Sequence, residues 1–108
     1  MNKVMDINSL LERLIILTNN NMCQWDELSV NAYRLVLKGG TIQLQKQIDS
    51  LMSTVYTIKL FDNAECFATY SSNSDYILNQ FLEELFMAIM KYRERAVNIK
   101  IADVFGDL

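Results

Sequence analysis

The chain has no histidine and no proline, and only two cysteines and three glycines among its 108 residues. Lack of histidine excludes Ser–His and Cys–His nucleophilic catalysis in their usual form, and imidazole metal ligands with them. Cys23 and Cys66 lie too far apart in sequence for a structural zinc site, and both are expected to be reduced. Gly39-Gly40 is the one glycine pair. A phosphate-cradling loop needs more glycines and a following helix, so this pair is not one. No Asp-rich calcium loop is present. The longest aliphatic run is Leu14-Ile15-Ile16-Leu17, far short of the roughly 20 residues of a membrane span. Met1 to Asn8 has no apolar stretch of the signal-peptide kind, so a cytoplasmic protein is expected.

Neither sign of charge dominates. Ten Lys and Arg against thirteen Asp and Glu leave a net charge of −3. Phosphate backbones are bound by cations clustered on one face, usually in a basic domain, so nucleic acid is not the expected partner. The carboxylate pairs Asp26-Glu27, Asp62 with Glu65, and Glu83-Glu84 read as solvated surface, because acid–base catalysis needs an enclosed, pKa-shifting site. No catalytic residue, metal or cofactor is expected, and the chain is not read as an enzyme.

What is present is apolar residue: 51% of the chain, enough for a core in one domain spanning residues 1–108. Ser9 and Glu12 have capping-box spacing ahead of Leu10, Leu11, Leu14, Ile15 and Leu17, which predicts a first helix ended by Asn19-Asn20-Asn21. Trp25 to Asn31 reads as a connector, with Trp25 plugging one end of the core. Tyr33 to Lys38 and Thr41 to Gln45 alternate around Gly39-Gly40, which predicts a hairpin turning on positive-φ glycines and pairing Leu37 with Ile42 and Leu35 with Leu44. Val55 to Phe61 and Cys66 to Ser71 form a second hairpin, pairing Leu60 with Phe67 and Ile58 with Thr69. Gln47 to Thr54 joins the two. A long helix follows the capping signal Ser72 to Asp75 and runs to about Ala96, with a short terminal helix over Asn98 to Phe105. The fold class is therefore α+β: a four-stranded antiparallel sheet of two hairpins with the helices on one face.

Two surfaces stand out. Arg34, Lys38, Lys59, Phe61 and Tyr70 fall together on the outer sheet face, a mixture of cations and aromatics of the kind that binds single-stranded nucleic acid. On the long helix, apolar residues cover more than half the circumference, wider than a surface helix needs. Phe86 and Met90 lie at the far edge of that stripe and are expected to meet a partner protein or a second copy. The helix, about 33 Å long over 22 residues, should overhang strands of about 20 Å. Helix–strands–helix order is shared with double-stranded-RNA-binding domains. Those open their second helix on a basic cluster, and Ser74 to Asn79 has no cation, so the chain is not assigned to them.

The function expected is a non-catalytic protein-interaction module, a small regulator or inhibitor of the short, acidic, Asn-rich kind that phages and mobile elements encode. The alternative is a single-stranded nucleic-acid binder that uses the outer sheet face.

Overall fold

Asp6 opens the first helix, α1, which spans Ile7–Asn19 in a computed structural model that describes residues 4–108. Met1 to Lys3, part of the stretch read for a signal peptide, lie outside the described residues. The Asp6 carboxylate accepts the Ser9 backbone N–H at 2.8 Å, which satisfies one orphan donor of the first turn. Ser9 is therefore inside the helix, not at its cap. Asn21 takes φ 60°, the left-handed conformation that Asn tolerates just past a helix end.

Five strands follow: β1 Trp25–Ser29, β2 Ala32–Leu37, β3 Gly40–Ile48, β4 Thr54–Phe61 and β5 Cys66–Ser71. They pair antiparallel in sequence order, as one meander. The extra strand is β1, where a connector was expected. Its sequence, WDELS, has no apolar alternation, and only Trp25 is buried in it. The turn into β2 is made by Val30 and Asn31, with Asn31 at φ 61°.

The first expected hairpin forms with its register moved by two residues. Lys38-Gly39 is the turn, Leu37 faces Gly40, Leu35 faces Ile42 and Tyr33 faces Leu44. A strand's side chains alternate with period two, so this shift leaves every residue on its expected face. Neither glycine has positive φ.

The second expected hairpin differs more. An irregularity between Leu60 and Phe61 pairs Leu60 with Ala68, Ile58 with Tyr70 and Lys59 with Thr69. One extra residue in the ladder inverts the following strand, so Ala68 and Tyr70 turn inward and Phe67 and Thr69 outward. The connecting turn is tight. One Asp62 oxygen accepts the backbone N–H groups of Ala64 at 2.7 Å and Glu65 at 2.9 Å, and the Asp62 N–H donates to the Glu65 carbonyl.

Those two N–H donors hold the Asp62 carboxyl below the usual carboxylate range. A lowered folded pKa means that the stabilisation is complete above the unfolded pKa and is lost as pH falls through the folded one. Amide exchange at Ala64 and Glu65 should therefore accelerate, relative to the rest of the sheet, once pH drops below the ordinary aspartate range. Asp62→Asn should remove that pH dependence. Equal protection at neutral and acidic pH in the parent chain would contradict the assignment.

Asp75 caps the second helix, α2, accepting the N–H groups of Ile77 at 2.8 Å and Leu78 at 3.3 Å. α2 runs unbroken over Tyr76–Phe105, so the short terminal helix is its last two turns and not a separate element. Nothing between Ala96 and Phe105 is a glycine or proline that would stop it. Thirty residues make α2 about 45 Å long.

The core lies between the sheet's inner face and both helices. α1 contributes Leu11, Leu14 and Ile15, the strands contribute Trp25, Tyr33, Leu35, Ile42, Leu44, Tyr56, Ile58 and Leu60, and α2 contributes Leu78, Leu82, Leu85, Phe86 and Ile89. Trp25 sits in it as expected, its indole N–H donating to Thr18 Oγ1 at 3.0 Å within the buried region. No helix among the described residues is long and apolar enough to cross a membrane.

Candidate functional site

Phe86 and Met90 belong to the core and not to a free edge. Phe86 is 4% exposed. Its ring lies 5.8 Å from Tyr33, edge to face, and 5.5 Å from Tyr56. The Lys46 ammonium stands 5.4 Å above it, a distance at which cation and ring attract. Met90 is half-buried, and its sulfur receives the Tyr33 hydroxyl at 3.8 Å. The buried stripe of α2 is thus centred on Leu82, Leu85 and Ile89. Ile77, a little over one turn before Leu82 on the same helix, is 55% exposed. The wide apolar stripe admits several rotations of the helix, and packing against α1 as well as the sheet selects this one.

On the outer sheet face, three of the five expected residues come together. Asp26, Arg34, Gln43, Lys59 and Thr69 form one row across the strands, because each faces the next in register. Val36, Thr41 and Phe61 form the row beside it. A shallow hollow of about 300 Å³ is lined by Arg34, Gln43, Phe61, Asp62 and Glu65, among others. Arg34 Nε is covered and has no hydrogen-bond partner. Lys38 sits in the hairpin turn instead. Tyr70 faces the core side, where it packs against the buried cluster. Phe67, 63% exposed, is the aromatic that β5 turns outward, which the sequence did not mark. Asp26 faces Arg34 across the strands, and Asp62 and Glu65 line the hollow beside it, so carboxylates adjoin one of the two remaining cations.

The third surface is the end of α2. The helix crosses the sheet from β4, where Phe86 meets Tyr56, over β2, where Met90 meets Tyr33, to edge strand β1. There Arg93 donates to the Trp25 carbonyl at 3.3 Å, pairs with Glu27 at 3.0 Å and covers the Tyr33 ring at 5.2 Å. Arg95 makes the last tie to the body, two bonds to Asn21 Oδ1 of 2.7 and 3.2 Å. Every residue from Ala96 onward is exposed. The ten residues from Ala96 to Phe105 carry α2 about 15 Å past that tie. The radius of gyration is accordingly 15.5 Å, against about 13 Å for a compact chain of this length.

No family model, no curated protein and no solved structure matches this chain. Its function has to be argued from its own residues.

The free end of α2 is amphipathic. Val97, Ile101, Val104 and Phe105 recur at i, i+4, i+7 and i+8, which places them within an arc of about 100°, and Leu108 follows in the turn that closes the helix. The first four are between 51% and 57% exposed and Leu108 is fully so. The arc is turned by roughly 100° from the buried stripe, so these side chains are not a continuation of the core. Sequence reading placed the partner contact at Phe86 and Met90, about three and two turns before Val97. The periodicity of Val97 to Leu108 was the signal available to it. A smaller apolar protrusion, Leu51 and Met52, stands on the β3–β4 loop, where the Asp49 carboxylate holds the Leu51 and Ser53 N–H groups and Met52 takes φ 61°.

Chemically, the described residues offer little for bond-making. No three thiols or carboxylates among them gather as a metal site. Burial pushes the Cys23 thiol above its ordinary pKa, which disfavours the thiolate. Both cysteines are free, and Cys66 is exposed with its thiol directed at the Ala68 carbonyl.

Proposed function

We propose that the chain is a non-catalytic protein-interaction module whose binding surface is the free end of α2. One observation carries the reading: four large apolar side chains, Val97, Ile101, Val104 and Phe105, share an arc of a helix that projects past the body, and none of the described residues covers them. Burying such side chains contributes about 1.5–3 kcal/mol each when they are fully covered. An amphipathic helix with anchors at this spacing binds a groove or another helix. A module of this build acts as a small regulator or inhibitor does, by occupying its partner's surface. The outer sheet face supports nucleic-acid binding less well, since Tyr70 is withdrawn from it and three carboxylates adjoin Arg34.

The test is affinity capture from the native host with the wild-type chain and with Ile101→Asp/Phe105→Asp. Both changes lie outside the core, so the variant should melt at the wild-type temperature. The reading expects at least one protein, another copy of this chain included, to be held by the wild type and lost with the variant. An identical captured set for both would contradict it.

A further inference from the structure

We infer that the partner of this stripe is a second copy of the same helix, packed antiparallel. The inference rests on the proposed reading of the α2 end as a binding surface and adds the identity of what covers it.

Two observations lead to it. The first is the spacing. Val97, Ile101 and Val104 on the helix, with Leu108 in the turn that closes it, are separated by four, three and four residues, the alternation that lines the seam between two paired helices. When two copies run antiparallel about a two-fold axis between residues 102 and 103, Val97 lies level with Leu108 of the second copy, and Ile101 with its Val104. Every seam position then meets an apolar one.

The second is charge. Lys100 and Asp107 flank the same side of the seam. An antiparallel two-fold keeps that side facing itself, so Lys100 comes within about 3 Å, measured along the axis, of the level of Asp107 in the second copy. Symmetry makes the pair twice. On the other side of the seam, Phe105 and its symmetry mate close over it. In a parallel pairing, Lys100 would sit opposite Phe105 and Asp107 opposite no cation.

About three turns of helix bury less than the roughly 1,200 Å² total of standard interfaces, so the dimer should be weak. A dissociation constant on the order of 10–100 µM is expected. Sedimentation equilibrium from about 10 µM to about 1 mM covers that range. The wild-type average mass should rise from 12.5 kDa towards twice that value. Ile101→Asp should hold it at the monomer mass. Lys100→Asp should weaken association about tenfold by turning two attractive pairs into repulsive ones. Lys100→Asp combined with Asp107→Lys should restore it. Circular dichroism checks that each variant keeps the parent's melting temperature.

A wild-type monomer throughout the range overturns the self-pairing. So does a dimer indifferent to Ile101→Asp. A dimer that stays weak in the double charge swap overturns the antiparallel arrangement. The capture experiment separates the two levels. A monomeric chain that still loses a captured protein on Ile101→Asp/Phe105→Asp removes the second copy but leaves the binding surface, whereas a monomeric chain with an unchanged captured set removes both.

Discussion

Phe86→Ala is expected to lower stability by about 3–5 kcal/mol, the usual cost of emptying a buried aromatic site. The ring is enclosed by Tyr33, Tyr56 and Lys46, which belong to three different strands. Relaxation of any one of them cannot fill the cavity. The loss has a second part, because the edge-to-face contact with Tyr33 and the Lys46 ammonium above the ring disappear with it. Denaturant unfolding measures the difference. A change under about 1 kcal/mol would mean that Phe86 lies on the surface, as the sequence suggested. Self-association measured on the folded fraction should be unaffected, because Phe86 is not part of the free end of α2.

The second large effect is at Gly40. A methyl group there would overlap the Phe61 carbonyl oxygen in the neighbouring strand. The obstacle is backbone, so it cannot swing aside as a flexible side chain would. Gly40→Ala should therefore part β3 from β4 at the end where Thr41 faces Phe61, and cost about 3 kcal/mol or more. Gly39 is the contrast. No atom lies within 4 Å of where its Cβ would stand, and its φ is not positive. Gly39→Ala should change the midpoint little, and even Gly39→Val, which positive φ would forbid, should be tolerated. Melting curves of the two alanine variants side by side make the comparison. Equal destabilisation would show that the turn conformation, not the close approach to Phe61, sets the need for glycine.

The inward sets of the central strands were legible because alternation defines them without knowledge of partners. Leu35, Ile42, Leu44, Tyr56, Ile58 and Leu60 are all buried where the pattern puts them. The two-residue register change in the first hairpin was invisible to that pattern and harmless to it. The strand β5 was legible but its inward face was not, because Cys66 to Ser71 carries apolar residues on both alternations, and the irregularity opposite Phe61 decides which one faces the core. β1 was missed because an edge strand with one buried residue leaves no periodic trace. The overhang of α2 followed from comparing helix and strand lengths. Its site was misplaced because a stripe covering most of a helix does not say which part the body takes. Phe86 was assigned to the partner for that reason, and Asn98 to Phe105 was read as a separate helix.

The most direct test of the account is an amide NMR titration of the wild-type chain against its own concentration, from about 50 µM to about 1 mM. If the free end of α2 is the binding surface, shifts should move over residues 97–108, while Arg34, Lys59 and Phe61 on the outer sheet face stay fixed. Movement confined to the sheet face, with residues 97–108 unchanged, would contradict it.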